Sequence, residues 1–164
     1  MSLKITINIE GMGMDKVSTI VAVCTSEKKG LQKKPVDSIE LKRELGIVGD
    51  AHSGNWHRQV SLLSEESVGK VQKKIDFKLN PGAFAENILI SKGIVLYELP
   101  IGTKLRIGTA ICEVTQIGKE CHADCEIRKK AGDCVMPREG IFVKVLKDGI
   151  AKSGDEVRVE DNYE

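Results

Sequence analysis

Short runs of β-branched and other apolar residues, separated by glycine- or proline-containing turns, recur along the chain and constrain its fold more than any other feature. Short runs of this kind bounded by turn residues are typical of β-strands. Many short strands at close spacing, with few helices between them, favour a β-barrel or folded sheet over alternating strand–helix units. The predicted strands are 17–24, 38–41, 59–63, 87–90, 104–107, 111–116, 140–146 and 156–159.

One helix is predicted clearly, and it begins at Ser64. Two glutamates follow this serine and two lysines stand at 73–74. Negative charges near the N-terminus and positive charges near the C-terminus of a helix interact favourably with its dipole. Val68, Val71 and Ile75 recur at the spacing of one helical face. The sequence therefore predicts one amphipathic helix packed against a mainly β fold.

The length of 164 residues is typical of one domain. A domain of this size buries roughly 68–70% of its unfolded surface and needs no disulfide staples. Residues 1–16 begin with alternating isoleucines and then reach a glycine- and methionine-rich break, which indicates a strand or a loose arm. We expect residues 17–160 to form a single domain.

Composition excludes several classes of partner. The formal net charge of +1 and the aromatic content of 4% give neither a basic surface nor a stacking platform for nucleic acid. No apolar run is long enough to span a bilayer, and the N-terminus lacks a signal core. We therefore expect a cytoplasmic protein with no nucleic-acid or membrane partner, whose five cysteines are thiols or ligands.

Residues 121–134 hold three of the five cysteines and one of the three histidines, so they are the best candidate for chemistry. A short helix is predicted over 124–130, ending at Gly132. Cys125 would open this helix near basic side chains, and cations lower the pKa of a thiol and make it nucleophilic. A reversible persulfide on such a cysteine is an established chemical state. For Cys121 and Cys134, a functional role and a structural role are both open.

A small zinc-binding structural or interaction module is the alternative interpretation. Its ligands would be Cys121, Cys125 and Cys134 with a histidine, for which His52 and His57 are candidates. The spacing is not that of the paired knuckles that structural zinc sites usually have. By contrast, the two remaining cysteines lie within apolar strands and are predicted to be core residues.

The loop 49–59 contains two histidines and the only tryptophan. Asp50 can orient a histidine such as His52 or cap a turn. Arg58 can bind a phosphate or carboxylate through its fork of donors. The alternative is a polar surface loop with a half-buried tryptophan.

The segment 80–87 contains a Pro-Gly turn followed by Glu86 and Asn87, which offer a carboxylate and an amide just before a strand. Taken alone, this pattern is more often a capped turn than a site. The lysines at 28–29 and 33–34 are predicted to lie in a solvated loop, which would at most border an anion site.

Taken together, three segments in this order resemble the MOSC domain family, named for the C-terminal region of molybdenum cofactor sulfurase. The resemblance covers nearly everything from about residue 17 to 159 and is closest to the short, stand-alone bacterial type. The matching residues are Gly49-Asp50-Ala51-His52 with Arg58-Gln59, then Gly82-Ala83-Phe84-Ala85-Glu86-Asn87, then Gly118-Lys119 leading to Cys125.

The resemblance implies a mostly β, barrel-like fold with a few helices and a link to molybdenum or tungsten cofactor metabolism. The family's hallmark cysteine carries sulfur or coordinates the cofactor metal, and it maps to Cys125, with Cys121 as the rival. Sulfur-transfer activity would then depend on a separate cysteine desulfurase. The chain resembles no pyridoxal-phosphate enzyme, so that cofactor is not expected.

The expected cofactor is molybdenum cofactor (molybdopterin), an anionic pterin with a phosphate and a dithiolene. The resemblance, together with residue type, assigns its binding to residues of the three segments and of the helix after them. Cationic side chains with several N–H donors can bind the phosphate, and amide or carboxylate groups can bind the pterin edge or form the pocket wall. The candidate cofactor-binding residues are Asp50, His52, Arg58, Glu86, Asn87, Lys119 and Arg128.

Two kinds of partner follow from the resemblance, namely enzymes of cofactor synthesis and the desulfurase. A third interpretation is a β-barrel adaptor that only docks onto those enzymes and uses no thiol chemistry. The sequence leaves the oligomeric state open.

Overall fold

A computed structural model describes residues 17–120, 126–132 and 134–161 of the chain. The predicted N-terminal segment 1–16 lies outside these residues. Strands dominate the described part. They are β1 Val17–Thr25, β2 Lys34–Val36, β3 Ile39–Lys42, β4 Gly46–Ile47, β5 Val60–Ser64, β6 Ile88–Ile90, β7 Lys104–Ile107, β8 Ala110–Ile117, β9 Ile141–Lys147, β10 Gly149–Ala151 and β11 Glu156–Val159. The helices are α1 Glu65–Gln72, α2 Glu126–Ala131 and α3 Met136–Glu139, with a 3₁₀ turn at Leu96–Glu98.

Seven of the strands close into a barrel in the order β1-β6-β5-β9-β8-β7-β11. Antiparallel pairing of β11 with β1 completes the circle and places Val17 opposite Arg158 and Thr19 opposite Glu156. β2 extends the barrel as a hairpin on β1, and β10, β3 and β4 form a separate three-stranded sheet. The predicted mostly β, barrel-type fold is therefore confirmed.

One pair of neighbouring barrel strands, β5 and β6, is parallel. Parallel neighbours need a crossover connection, and α1 lies within it. The Ser64 hydroxyl accepts a hydrogen bond from the Ser67 N–H and caps this helix. The helix predicted to begin at Ser64 is confirmed, and it ends at Gln72.

The apolar side chains form two clusters because two adjacent barrel strands are covered on both faces. On β5, Leu62 points into the barrel while its neighbour Leu63 packs under the helices; on β9, Val143 and Phe142 divide in the same way. All five residues of β5 are buried. The cluster outside the barrel, called here the helix-side cluster, consists of Leu63, Val71, Leu79, Phe84, Ile127, Cys134, Val135, Met136 and Phe142.

The helix predicted over 124–130 is present as α2, and the N–H of Gly132 bonds the Arg128 carbonyl at its end. Five short elements were not predicted, namely β2, β4, β10, α3 and the 3₁₀ turn at Leu96–Glu98. Within the described residues, no helix is both long enough and apolar enough to cross a lipid bilayer.

α3 fixes the backbone that carries Lys119. The Lys119 N–H donates to the Pro137 carbonyl at 3.1 Å, and the Gly118 N–H donates to the Gly140 carbonyl at 2.6 Å. The Glu139 carboxylate in turn accepts hydrogen bonds from Ser67 and Lys70 of α1. α1 therefore holds α3, and α3 holds the segment 118–119.

Gly118 has no room for a side chain. Its φ is +69°, and a Cβ placed on it would lie 2.0 Å from the Pro137 carbonyl oxygen.

Gly154 is a matched control, since its φ is +93° and no atom lies within 4 Å of a Cβ placed there. We predict that Gly154→Ala lowers the free energy of unfolding by about 1–2 kcal/mol, the cost of the left-handed backbone. Gly118→Ala should cost about 1–3 kcal/mol more, because the backbone must also move. Urea unfolding of both variants measures this, and equal losses would contradict the close contact.

Candidate functional site

Two adjoining cavities lie where the three motif segments meet. The inner cavity, of about 190 Å³, has mostly apolar walls that include Phe84 and Met136. The outer cavity, of about 480 Å³, is bounded by Trp56, Gln116 and Glu120 among others. The two share four lining residues and are together called the cleft. The shared residues are His52, Arg58, Lys119 and Phe142.

Arg58 is held in the cleft by aromatic rings. Its guanidinium carbon lies 4.7 Å from the centroid of the Trp56 ring and 5.6 Å from that of Phe142. Its Nε is buried and has no hydrogen-bond partner among the described residues. Cation–π contacts orient the group without using its N–H donors. A buried, unpartnered donor on a cation is what an anionic ligand would satisfy.

Asp50 is buried beneath the loop and organises it. One carboxylate oxygen accepts hydrogen bonds from the Ser26 N–H at 3.1 Å and from Lys33 Nζ at 2.8 Å. The other accepts from the His52 N–H at 3.1 Å. Burial raises the pKa of the Asp50 carboxyl, but Lys33 and the backbone donors outweigh it and hold the pKa below its ordinary value. Asp50 is therefore ionised at neutral pH.

His52 takes its environment from the same buried cation. Its Nδ1 lies 3.0 Å from Lys33 Nζ, and its side chain is 30% exposed. Burial, together with the charge of Lys33, lowers the pKa of His52 to about 4, although Asp50 opposes the shift. The 3.8 Å approach of Nδ1 to Asp50 is therefore no ion pair at neutral pH. The His52 carbonyl also accepts from Trp56 Nε1 at 2.9 Å, which places the indole at the cleft.

Glu86 and Asn87 build the wall of the cleft. The Glu86 carboxylate is buried and accepts the N–H groups of Gly82 at 2.7 Å and Phe84 at 3.0 Å. Burial raises the pKa of Glu86 despite these bonds and the charge of a nearby lysine. The Asn87 amide donates to a β1 carbonyl at 3.0 Å and accepts the Ser61 N–H at 3.0 Å. Both side chains thus support loops and strands from inside.

Two of the motif segments are linked through Lys33. Its N–H donates to the Gly82 carbonyl at 3.0 Å, and its ammonium group bonds Asp50. A Cβ on Gly82, whose φ is +89°, would lie 2.0 Å from the Lys33 carbonyl oxygen. Only glycine allows the two backbones to approach this closely. The lysine therefore holds the 82–87 turn against the 49–59 loop.

The structure brings four of the seven candidate cofactor-binding residues to the cleft, namely His52, Arg58, Asn87 and Lys119. Asp50 and Glu86 lie directly behind this lining. Arg128 lies exposed on α2 and is not among the described residues of the lining. The binding roles of all seven remain predictions.

The thiols fall into three groups. Cys24 and Cys112 are fully buried and belong to the core as predicted, and burial raises the pKa of each to about 12. Cys134 is buried and lines the inner cavity. The candidate reactive cysteines, Cys121 and Cys125, lie outside the described residues. Glu120, which precedes their segment, lines the outer cavity, and Ile127, which follows it, packs in the helix-side cluster.

Within the described ranges, no group of three or more His, Cys, Asp or Glu side chains is placed to hold a metal ion. The zinc hypothesis relies on Cys121 and Cys125, which are outside those ranges, so it gains no support here.

Sequence reasoning missed two residues of the site. Lys33 was expected in a solvated loop, but it is 2% exposed because it neutralises the buried Asp50. The other lysines in the same stretch, at 28–29 and 34, indicate a solvated loop and gave no sign of this buried ion pair. Phe142 was assigned to a strand without a function, whereas its ring faces outward from the barrel against Arg58. The alternation of β9 places residue 142 on that outer face, and this signal was available in the sequence.

The low pKa of His52 makes stability depend on pH. Between about 6.5 and about 4 the unfolded chain binds a proton at this residue and the folded protein does not. We therefore predict that the free energy of unfolding of the wild type falls relative to that of His52→Gln as pH falls through this window. Above about pH 6.5, the difference between the two free energies should stay constant. Urea unfolding at a series of pH values measures the effect. The exposed-histidine control His57→Gln should keep the dependence, and a constant difference between wild type and His52→Gln would refute a neutral His52.

Comparisons with solved structures show the same fold at low sequence identity. The YuaD protein from Bacillus subtilis is 18% identical, with a TM-score of 0.68 over 86% of this chain and 94% of that one. YiiM from Geobacillus stearothermophilus is 17% identical, with a TM-score of 0.67 over 88% and 75% of the two chains. YiiM from Escherichia coli is 18% identical, with a TM-score of 0.63 over 90% and 71%. A search of curated proteins found no match.

A sequence model of the MOSC domain matches residues 49–158. The matched part begins with the loop of Asp50 and His52, includes the 82–87 turn and Lys119, and runs into β11. It therefore contains most of the barrel and most of the cleft. The chain belongs to the MOSC domain family.

Proposed function

We propose that this protein binds molybdenum cofactor, or its molybdopterin form, in the cleft and carries a sulfur atom as a persulfide on Cys125. The observation that carries the proposal is the division of the cleft, with mostly apolar inner walls and cationic groups where the two cavities meet. A flat heterocycle with a phosphate needs both kinds of surface.

The cationic groups fit the phosphate end of such a ligand. Arg58 offers a fork of donors already oriented by two rings, and Lys119 is fixed through its backbone to α3. Charge-assisted hydrogen bonds of this type are stronger than neutral ones. The inner cavity offers ring faces and small side chains to the heterocycle, and Ser61 and Asn87 supply polar atoms at its wall. When bound, the cofactor supplies a soft metal–sulfur centre that suits a thiolate neighbour.

Sulfur loading needs a donor, because the family resemblance implies no sulfur extraction by this chain. The Cys125 thiolate attacks the outer sulfur of a desulfurase persulfide, the donor's S–S bond breaks, and the donor leaves as a thiolate. The product is a persulfide on Cys125, with no net oxidation. The location of Glu120 in the lining of the outer cavity, one residue before this segment, supports delivery of sulfur to a ligand bound there.

Cofactor binding is tested with charge variants. We expect Arg58→Ala and Lys119→Ala each to weaken molybdopterin binding roughly tenfold or more, because each removes a charge-assisted contact. The matched control is Lys147→Ala, an exposed lysine on β9 that is not among the described residues of the cleft lining. Pterin retained after gel filtration measures binding. Equal retention by all four proteins would reject the assignment of the ligand to the cleft.

Sulfur carriage is tested by intact mass. After incubation with a cysteine desulfurase and cysteine, the wild type should gain the mass of one sulfur atom, removable by a thiol reductant. Cys125→Ser should not gain it, whereas Cys121→Ser should, since the family position maps to Cys125. Labelling lost only in Cys121→Ser would transfer the role to that residue. Absence of labelling, or equal labelling in both variants, would reject a single carrier cysteine.

A further inference from the structure

Lys33 contacts three polar groups at the base of the cleft. Its Nζ lies 2.8 Å from Asp50 Oδ1, 3.0 Å from His52 Nδ1 and 3.3 Å from Ser26 Oγ. The side chains of Lys33 and Asp50 are only 1% and 0% exposed. The ammonium group thus has acceptors for its three donors, in a setting where an unpaired charge would be very costly.

The contact between Lys33 and His52 fixes the state of the imidazole. An ammonium group can only donate, so Nδ1 must accept and cannot carry a proton. In a neutral ring the proton then lies on Nε2. Among the described residues Nε2 makes no hydrogen bond, and the ring lines both cavities. No described residue therefore occupies the one hydrogen-bond donor of this ring, which belongs to a residue of the cleft lining.

The cations around His52 also favour the neutral ring. The cations Lys33, Lys119 and Lys29 disfavour protonation of the ring, and the Asp50 carboxylate favours it. Glu120 is a further carboxylate in the described lining of the outer cavity. Arg58 adds a further cation to the lining of the same cleft. A protonated His52 would also lose its bond with Lys33, because two donors would then face each other.

We propose that Lys33 is a positioning residue that holds His52 as a neutral, Nε2-protonated hydrogen-bond donor to an anionic oxygen of the ligand in the cleft. The identity of that oxygen as the phosphate of a pterin rests on the proposed function, but the state of His52 does not. Lys33 lies outside residues 49–158, so the family match does not include it.

The arrangement has a functional consequence. Arg58 and Lys119 carry the positive charge of the cleft, whereas His52 adds a directed donor whose charge does not change near neutral pH. Binding of an oxyanion should therefore be insensitive to histidine titration. A histidine that bound the anion as imidazolium would instead strengthen binding as pH falls through about 6.5.

The state of His52 is measured directly in the wild type by nitrogen-15 NMR of the histidine rings. His52→Gln assigns the signal by removing one of three histidine spectra. We expect the Nε2-protonated tautomer, with no change of ring charge down to about pH 5. An Nδ1-protonated tautomer, or titration near 6.5, would overturn the proposal. This measurement needs neither a cofactor nor a destabilised variant.

The role of Lys33 is tested with sulfate, whose charge is constant in this range, through the fluorescence of the single tryptophan, Trp56. Wild-type affinity should be flat from about pH 5.5 to 8, and His52→Leu should bind roughly tenfold more weakly. In Lys33→Met, His52 gains a proton at acid pH, so affinity should rise several-fold below about 6.5. Flat affinity in folded Lys33→Met, or acid-strengthened binding in the wild type, would refute the positioning role.

These outcomes separate the two proposals. The expected tautomer and sulfate behaviour without retention of molybdopterin would reject the proposed function alone. Retention of molybdopterin with the opposite tautomer would reject only the role given to Lys33. If Lys33→Met fails to fold, the wild-type tautomer decides.

Discussion

The buried ion pair between Lys33 and Asp50 is the interaction on which the cleft depends. Neither side chain is exposed enough to be stabilised by water, so each charge relies on the other and on further hydrogen bonds. A buried pair contributes little net stability compared with an apolar pair of the same shape, but loss of one partner costs about 3–5 kcal/mol. The main effect of such a pair is that it selects the one arrangement of the chain in which both charges are paired. Here that arrangement is the meeting of two loops that are distant in sequence.

The barrel explains why these loops meet. Asn87 bonds β1 and β5 from the start of β6, so the turn that precedes it is fixed to three neighbouring strands. Glu86 gives the same turn its shape by accepting two backbone N–H groups within it. Lys33 then attaches the loop of Asp50 to the outside of the turn. The polar residues of the motif are therefore arranged in two layers, one that lines the cleft and one that holds the lining in place.

The sequence predicted eight of the eleven described strands, because their apolar runs are short and bounded by turn residues. It also predicted α1, whose serine cap and charge polarity are local signals. The burial of Lys33 was not predictable in this way, since a lysine among lysines is typical of a solvated loop and its partner is seventeen positions away. α3 was missed because Pro137 indicates a break, yet proline is tolerated in the first turn of a helix. Local patterns thus predicted the framework, and tertiary pairing decided the positions of the polar groups behind the site.

The three basic side chains in the described lining of the cleft are held in three different ways. Arg58 is held by two aromatic rings, and its buried Nε has no hydrogen-bond partner among the described residues. Lys119 is placed through its backbone, whose N–H donates to the Pro137 carbonyl of α3. His52 is held through one ring nitrogen, which removes its charge and leaves a single directed donor. A site built this way combines strong attraction from two permanent charges with orientation from a neutral group. If the cleft binds an oxyanion as proposed, attraction and orientation come from separate residues, so the direction of the bound oxyanion is selected without a change in charge near neutral pH.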